Sequence, residues 1–261
     1  MKNETEGYIL IGIGEPYLKL ATNLIDTLRK CGDTRDVHVI TEPDLDDLYN
    51  QAKTNFERYG TVPKITLDRY LPFDHNIFLD ADILCCADTQ HVWDFFKSNP
   101  QFIQQLGTLN NPHMPMDNIS KYEPELGFKI PKVHGGVIYI NKNTLNKNFF
   151  LWMQEYVFPN FGKIIHSTPL VYKNSRPDQE IYSIAYGKFG LKVWEIWNHP
   201  IMTVLWDTEV LPKTRVTFRT FKGPELNKEV PFAHIFKGKA TEKFKCDMPH
   251  YNEMYNNIMN S

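Results

Sequence analysis

The chain has 261 residues, a formal net charge of −2 and 42% hydrophobic residues. This length is enough to bury a sizeable core and fits one large α/β domain or two small ones; we expect a single domain over residues 1–261. The balanced charge provides no general attraction for nucleic acid and no acidic tail. We therefore expect a small or local partner and no nucleic-acid partner.

The four cysteines, Cys31, Cys85, Cys86 and Cys246, show no C-x-x-C spacing. Neighbouring cysteines on a strand also point to opposite faces, so reduced thiols and a cytoplasmic location are expected. The polar start of the chain has the features of neither a signal peptide nor a membrane anchor. Since no run of about 18 apolar residues occurs, any membrane contact is expected to be peripheral.

The chain opens with the pattern of a βαβ unit. Residues 8–14 predict a buried strand that ends in a Gly-x-Gly turn, and Pro16 suits the first turn of the helix that follows. That helix is predicted to end near Lys30, before a second strand at residues 37–40. The turn Gly12-Ile13-Gly14 lacks the third glycine of a dinucleotide fingerprint. It is compatible both with a plain strand-to-helix turn and with a base-binding turn.

An apolar run at residues 76–86 contains two acids, Asp80 and Asp82. A run this hydrophobic predicts a buried central strand of a parallel or mixed sheet. A charged carboxylate is tolerated there only when it is paired, hydrogen-bonded or bound to a metal, so we expect both acids at an opening. Residues two apart on a strand share a face, and the pair could converge on one hard divalent cation while Ala81 leaves room. The alternative is a strand end whose acids cap a helix or pair with nearby Lys and Arg.

The rest of the chain predicts further helices and strands, interrupted by one long polar stretch. The predicted elements are a polar helical segment at 43–70, a helix from Val92, an irregular stretch at 99–132, a strand at 133–141, an aromatic segment at 149–158, a helix from Pro177, a strand at 193–198, and an apolar approach to a histidine and two lysines at 232–239. The stretch at 99–132 is a candidate lid, because a connection this long is usually functional or mobile. The aromatic segment is expected to pack in the core rather than contact lipid, and the end of the chain is either a helix or disordered.

These motifs, in this order, resemble the glycogenin and lipopolysaccharide-galactosyltransferase family of GT-A fold glycosyltransferases. The similarity extends from Tyr8 to about Lys239. It implies an α/β fold, with a Rossmann-like mixed central sheet flanked by helices. We expect a nucleotide- and metal-binding half at residues 1–98, a donor-sugar and acceptor half at 99–245, and a tail at 246–261.

The resemblance also implies a metal and nucleotide site. Asp80 and Asp82 correspond to the family's D-x-D motif, which implies that Asp82 ligates Mn²⁺ (or Mg²⁺) and that Asp80 serves the metal and the ribose. His234 matches the late histidine that is a further ligand. The other implied nucleotide- and donor-binding residues are Gly12, Ile13, Tyr17 (placed against the uracil ring), Lys64 (near the donor), Ala81, His134, Gly135 and Gly136.

Residues later in the chain match the family's donor-sugar motifs. Asp178-Gln179 corresponds to its D-Q pair, which implies that Asp178 binds sugar hydroxyls and that Gln179 faces the anomeric carbon. His134 stands where the family has Asn, and Gly12-Ile13-Gly14 replaces the family's polar base-binding turn. Lys237 occupies the usual glycine position of H-x-x-G-x-x-K, so Lys237 and Lys239 are joint candidates for binding the diphosphate.

The implied function is a metal-dependent glycosyltransferase. It would move a sugar from a nucleotide-diphosphate donor, expected to be a UDP-sugar, to a hydroxyl of a glycan, protein or lipid-linked acceptor. If Gln179 faces the anomeric carbon, no strong base is present and retention is expected. If Asp178, Glu180 or Asp117 reaches the acceptor oxygen instead, it could act as a general base for inversion.

Two other functional classes compete with this interpretation. A hydrophobic-Asp-x-Asp sequence also begins Mg²⁺-dependent phosphohydrolases of the haloacid dehalogenase type. In those enzymes the pair normally closes the first strand, whereas here it follows an entire βαβ unit. The second class is a noncatalytic nucleotide-sugar-binding protein, against which Asp80, Asp82 and His234 all count.

Overall fold

The computed structural model describes residues 4–50, 62–108, 119–157, 177–195, 201–207, 231–237 and 249–260. For residues 108, 121, 122, 157, 177, 202–207, 233–237, 249 and 250, the structure describes the backbone and not the side chain. Across these ranges, no helix combines the length and the apolar character that a membrane span requires.

Nine strands form two sheets in the described part of the chain. They are β1 (Glu6–Ile11), β2 (Asp36–Ile40), β3 (His75–Leu79), β4 (Ile83–Cys85), β5 (Ile103–Thr108), β6 (Lys132–Asn141), β7 (Trp194–Glu195), β8 (Met202–Asp207) and β9 (Phe232–Lys237). Six of them form a sheet in the order β2-β1-β3-β6-β5-β7, and the other three form a sheet in the order β4-β9-β8. The β1–β2 and β5–β7 pairs are parallel and the β5–β6 pair is antiparallel, so the predicted mixed sheet is confirmed.

Seven helices accompany these strands in the described ranges. They are α1 (Glu15–Lys30), α2 (Val62–Ile65), α3 (Gln90–Lys97), α4 (Glu123–Leu126), α5 (Thr144–Trp152), α6 (Pro177–Lys188) and α7 (Pro249–Asn260). Short 3₁₀ turns occur at Glu42–Asp44, Leu67–Tyr70 and Ile119–Tyr122, and a π turn at Met153–Val157. Residues 47–50 are also helical, and residues 51–61 of the predicted helical segment lie outside the described ranges.

The chain divides into two compact units. Unit 1 comprises Met1–Glu6, Pro43–Ile77 and Gln101–Glu195, and unit 2 comprises Gly7–Glu42, Phe78–Pro100 and Ile196–Ser261. Unit 1 therefore contains β5, β6 and β7 with α2, α4, α5 and α6. Unit 2 contains β2, β4, β8 and β9, most of β1, and helices α1, α3 and α7.

Helix α1 in unit 2 begins and ends where the sequence predicts. Gly14 precedes it with φ 84°, a conformation that an L side chain rarely adopts, and Pro16 lies in its first turn. Its apolar stripe of Leu20, Leu24 and Leu28 faces the core, and each of these side chains is at most 3% exposed. Gly32 ends the helix with φ 85°, and the amide of Asp33 then donates to the carbonyl oxygen of Leu28 at 3.0 Å.

A buried network around Asp33 joins three elements of unit 2. The Tyr8 hydroxyl on β1 donates to Asp33 Oδ2 at 2.5 Å and accepts from Trp93 Nε1 on α3 at 2.8 Å. The Thr89 hydroxyl also donates to Asp33, and the Arg35 guanidinium forms an ion pair with it at 3.1 Å. Burial by itself raises the pKa of the Asp33 carboxyl, but these hydrogen bonds outweigh burial and leave that pKa below its ordinary value.

The prediction of an irregular stretch at residues 99–132 is wrong for residues 103–108, which form a strand. Strand β5 runs through Ile103–Thr108 and pairs with β6 on one side and β7 on the other. Two glutamines made this segment look polar, yet Gln104 and Gln105 are fully buried. Gln104 Oε1 accepts from Trp194 Nε1 at 3.0 Å, and Gln105 Nε2 donates to the carbonyl oxygen of His134 at 3.3 Å, while Gln105 Oε1 has no hydrogen-bond partner among the described residues. A strand paired on both sides cannot belong to a lid, and residues 109–118 of the predicted lid lie outside the described ranges.

The structure decides two questions that the sequence left open: whether the aromatic segment packs in the core, and whether the end of the chain is helical. Phe149 and Phe150 on α5 are fully buried, so core packing of the aromatic segment is confirmed for them. The end of the chain is helical: α7 packs against α1, where the Tyr255 hydroxyl donates to Asp26 Oδ2 at 3.1 Å.

We predict that Asp33→Asn lowers the free energy of unfolding by about 1–3 kcal/mol at neutral pH, because an amide cannot accept all the hydrogen bonds of the carboxylate. The folded pKa of Asp33 is lowered, so its stabilisation is complete above the unfolded pKa of about 4 and is lost as pH falls through the folded pKa. The difference between wild type and variant in urea unfolding should therefore shrink at acid pH. Asp36→Asn, at an exposed carboxyl, is the control; an Asp33→Asn penalty that does not change with pH would contradict the assignment.

Candidate functional site

The two acids of the D-x-D motif lie in a turn of unit 2. Strand β3 is buried along its whole length and ends at Leu79. The amide of Ile83 then donates to the carbonyl oxygen of Asp80 at 3.1 Å, closing a turn over residues 80–83 before β4 begins. Asp80 and Asp82 are both partly exposed, and Ala81 between them is 8% exposed. We call residues 80–82 the acidic turn.

The acidic turn differs from the strand that the sequence predicts at these residues. One continuous strand over residues 76–86 was predicted, with both acids on one face by strand alternation. The structure replaces the middle of that strand by a turn, so alternation does not determine where the two side chains point. The physical reason is the cost of burying a carboxylate: the chain leaves β3 at the first acid and re-enters a buried strand only after the second.

The register of the second sheet brings the backbone of His234 next to the acidic turn. Strand β9 pairs antiparallel with β4, and His234 stands directly opposite Ile83, the residue after Asp82. Residues opposite each other in an antiparallel pair have Cα atoms about 4.5–5.5 Å apart. Two segments separated by more than 140 positions in the sequence are thus neighbours in unit 2.

The expected metal site remains a prediction. No group of three or more His, Cys, Asp or Glu side chains that could hold a metal ion occurs among the described residues. His234 and Lys237 are described by their backbone, as parts of β9, and Lys239 lies outside the described ranges. The donor set expected from Asp80, Asp82 and His234 is oxygen-rich with one imidazole, which suits Mn²⁺ or Mg²⁺.

The turn after β1 is tightly packed at its first glycine. The Gly12 amide donates to the carbonyl oxygen of Ile40 at 2.9 Å, which extends the β1–β2 pairing by one residue. A Cβ atom added at Gly12 would lie 3.0 Å from Val39 Cγ1, so this position favours glycine. Ile13 is partly exposed, and Tyr17 on the first turn of α1 is 38% exposed. A ring exposed to this degree has area available for stacking, although its contact with a base stays a prediction.

In unit 1, the structure brings together two of the predicted donor-binding residues, Lys64 and Gly135, and the two predicted catalytic residues, Asp178 and Gln179. Lys64 Nζ on α2 donates to Asp178 Oδ2 on α6 at 2.8 Å, and both side chains are largely buried. Gly135 on β6 faces this ion pair: an added Cβ atom would lie 2.9 Å from Asp178 Oδ2 and 3.1 Å from Gln179 Cγ. We call Lys64, Gly135, Asp178 and Gln179 the α6 cluster. The absence of a side chain at Gly135 is what leaves room for the ion pair.

The other predicted residues of β6 have a defined hydrogen-bond role. The amide of Gly136 donates to His134 Nδ1 at 3.1 Å, inside a ring that is 5% exposed. Since Nδ1 accepts, the neutral imidazole carries its proton on Nε2 and presents a donor there. The single acceptor of the ring is therefore used by Gly136, whereas an asparagine side chain has a carbonyl oxygen with two lone pairs and two N–H donors.

Sequence reasoning missed two residues that hold the α6 cluster in place. The Tyr182 hydroxyl, one helical turn after Asp178, donates to the carbonyl oxygen of Lys64 at 2.5 Å. Ser183 Oγ accepts from the Val133 amide at 3.1 Å, which ties α6 to β6. Burial, followed by the nearby Asp178 charge, raises the pKa of the Tyr182 hydroxyl and keeps it a hydrogen-bond donor. The i, i+4 spacing places Asp178 and Tyr182 on the same face of a helix, and this was the one sequence pattern that could have pointed to Tyr182. The residues around Tyr182 do not indicate that its partner is Lys64.

Comparison with known proteins identifies the fold. No protein-family model matches the chain, and no curated protein matches its sequence. Among solved structures, the galactosyltransferase LgtC in complex with donor and acceptor sugar analogues superposes with a TM-score of 0.61 at 14% identity, over 97% of this chain and 95% of that one. The bifunctional glycosyltransferase WbbM gives 0.57 at 12% identity, over 99% of this chain and 50% of that one. GlyE from Streptococcus pneumoniae gives 0.53 at 10% identity, over 98% and 62%.

These similarities, together with the mixed sheet, define the class of fold. The chain has the GT-A fold found in glycosyltransferases, as predicted. The identities of 10–14% show the fold and leave the reaction to be argued from the site.

We predict that Gly135→Ala destabilises unit 1 by about 1–3 kcal/mol, because the new methyl group displaces Asp178 from Lys64. Urea unfolding measures the change. The matched comparison is the same substitution in an Asp178→Ala background, where the closest clashing atom is absent. The penalty should then be smaller, and equal penalties in both backgrounds would show that Gly135 does not act through the ion pair.

Proposed function

We propose that the protein is a metal-dependent glycosyltransferase that transfers a sugar from a nucleotide-diphosphate donor, expected to be a UDP-sugar, to an acceptor hydroxyl. The observation that carries the proposal is the pairing of His234 with Ile83, which brings a histidine of β9 beside the acidic turn. A D-x-D pair followed by such a histidine is what the family resemblance requires of a metal site. The GT-A fold supports the same interpretation.

In this proposal Asp80, Asp82 and His234 hold Mn²⁺ or Mg²⁺. The bound cation would neutralise the diphosphate leaving group, which is the main electrostatic requirement of glycosyl transfer. Asp80 also serves the ribose, and Lys237 or Lys239 binds the outer phosphate oxygens. Gly12, Ile13 and Tyr17 contact the base, with Ala81 leaving room between the two acids.

The α6 cluster is proposed to bind the donor sugar. Asp178 already accepts one strong hydrogen bond, from Lys64 at 2.8 Å, and a carboxylate has further lone pairs for sugar hydroxyls. The small residues Gly135 and Gly136 permit close approach of a sugar ring, and His134 supplies a donor at the position where the family has Asn. The acceptor, a glycan, a protein or a lipid-linked molecule, must bind where water is excluded, because hydrolysis is the competing reaction.

Retention is the proposed stereochemical outcome. Gln179 is 5% exposed, and its Nε2 donates to the carbonyl oxygen of Val133 at 3.3 Å. This bond orients the amide, which is neutral and cannot act as a general base. Inversion would need Asp178, Glu180 or Asp117 at the acceptor oxygen. Asp178 is already ion-paired with Lys64 and Glu180 is only 8% exposed, which disfavours both as the general base. Asp117 lies outside the described ranges.

We expect that a panel of nucleotide-diphosphate sugars, screened by thermal shift, gives stabilisation by one class of donor only, and only with Mn²⁺ or Mg²⁺ present. A ligand that binds the folded state raises its stability by mass action. In Asp82→Ala the donor-dependent shift should disappear while the melting temperature without ligand stays nearly unchanged, because a charge at a site edge seldom stabilises the fold. Asp94→Ala, at an exposed carboxyl of α3, is the control and should keep the shift.

Two activity assays, one for release of nucleoside diphosphate and one for hydrolysis of an aryl phosphate, separate the competing functions. Donor binding without release of nucleoside diphosphate would favour a noncatalytic nucleotide-sugar-binding protein. Turnover of a generic aryl phosphate would favour a phosphohydrolase of the haloacid dehalogenase type. A donor shift that survives in Asp82→Ala would overturn the metal assignment.

For Gln179→Ala we expect turnover to fall by more than about tenfold while the donor dissociation constant changes little. An interaction made mainly in the transition state affects kcat, whereas a ground-state contact affects binding. Steady-state kinetics and donor titration measure the two quantities. Equal loss of binding and turnover would place Gln179 among the donor-binding groups instead.

A further inference from the structure

Two thiols meet where helix α1 ends and strand β4 ends. Cys31 is the cap residue of α1, and its Sγ donates to the carbonyl oxygen of Cys85 at 3.5 Å. The neighbouring Cys31 thiol, followed by burial, raises the pKa of the Cys85 thiol. The backbones are also linked, since the Cys85 amide donates to Thr27 Oγ1 on α1 at 3.0 Å. These contacts bring the Cys31 thiol to Cys85 at the end of β4.

Cys31 and Cys85 differ in solvent exposure, as expected if one thiol reacts with an oxidant first and the other reacts second. Cys31 is partly exposed, so a small oxidant can reach it, whereas Cys85 is fully buried. The neighbouring Cys86 is also partly exposed, but its thiol donates to the carbonyl oxygen of Leu84 at 3.6 Å. Adjacent residues at a strand end point in different directions, so Cys86 serves as an internal comparison.

We propose that Cys31 and Cys85 form a reversible disulfide, which makes the end of α1 a redox modification site. This inference rests on the contacts within unit 2 and not on the proposed function.

The reaction balances with an oxidised low-molecular-weight disulfide such as oxidised glutathione. The Cys31 thiolate forms a bond to one sulfur of the oxidant, whose S–S bond breaks, and one glutathione leaves as a thiol. Cys85 then gives up its proton and its hydrogen bond to the carbonyl oxygen of Ala87. Its sulfur bonds to Cys31 and displaces the second glutathione, so two electrons pass from the protein to the oxidant. Because only thiolates attack, the reaction should be faster at about pH 9 than at about pH 7.

The disulfide would have a measurable structural effect. It would close a loop between residues 54 positions apart, and closing such a loop restricts the unfolded chain. It would also fasten β4, which begins at the residue after Asp82, to α1. The oxidised protein should therefore melt a few degrees higher than the reduced protein, and a dithiol reductant should reverse the shift.

The test is peptide mapping of the full chain after incubation with oxidised glutathione, with free thiols blocked by N-ethylmaleimide before digestion. We expect a cross-linked peptide pair that contains Cys31 and Cys85 and separates on reduction. Cys86→Ser should keep this cross-link and the rise in melting temperature. Cys31→Ser should lose both, while circular dichroism confirms that it folds.

Three results would overturn the proposal. One is a cross-link from Cys31 to Cys86, and another is a stable glutathione adduct on Cys31 with no cross-link. The third is free Cys31 and Cys85 thiols in the wild-type chain after oxidation. Because the mapping is done on the wild-type chain, each result is decisive even if a variant misfolds.

Discussion

A charged carboxylate inside an apolar protein must find partners or leave the interior, and this constraint organises both units. Asp33 stays inside unit 2 because the Tyr8 and Thr89 hydroxyls and the Arg35 guanidinium satisfy it, and by doing so it joins three elements. Asp178 stays inside unit 1 because Lys64 neutralises it. The acidic turn follows the other course, since the backbone leaves the buried strand β3 where the first acid occurs.

The same constraint prepares the chemistry that we propose. A carboxylate that is already held by a lysine loses little freedom when a ligand hydroxyl binds to it. The α6 cluster has such a carboxylate, and Tyr182 and Ser183 fix the helix that carries it. In unit 2, the strand register brings His234 to the acidic turn through backbone hydrogen bonds, which do not depend on either side chain. Positions for binding are therefore set by elements that the core already stabilises.

The fold is shared with glycosyltransferases at identities of 10–14%, so most of the sequence can change while the pattern of buried strands and helices remains. The differences that matter for specificity are then local. The Gly12-Ile13-Gly14 turn and His134 both depart from the family pattern at positions expected to contact the donor. The hydrogen bond from the Gly136 amide to His134 Nδ1 leaves Nε2 as the ring nitrogen that carries the proton, so His134 can act there as a hydrogen-bond donor.

The sequence by itself determined the elements that rest on local patterns. Hydrophobic periodicity and turn glycines predicted β1, α1 and β2, and the order of motifs predicted the GT-A fold. Tertiary structure alone decided where polar residues are satisfied by distant partners. Strand β5 was missed because its two glutamines look exposed, and only the amide contacts made across the sheet allow them to be buried. The acidic pair could be recognised as a candidate site, yet its turn geometry and the 114-residue separation of Lys64 from Asp178 are set by packing that no local pattern records.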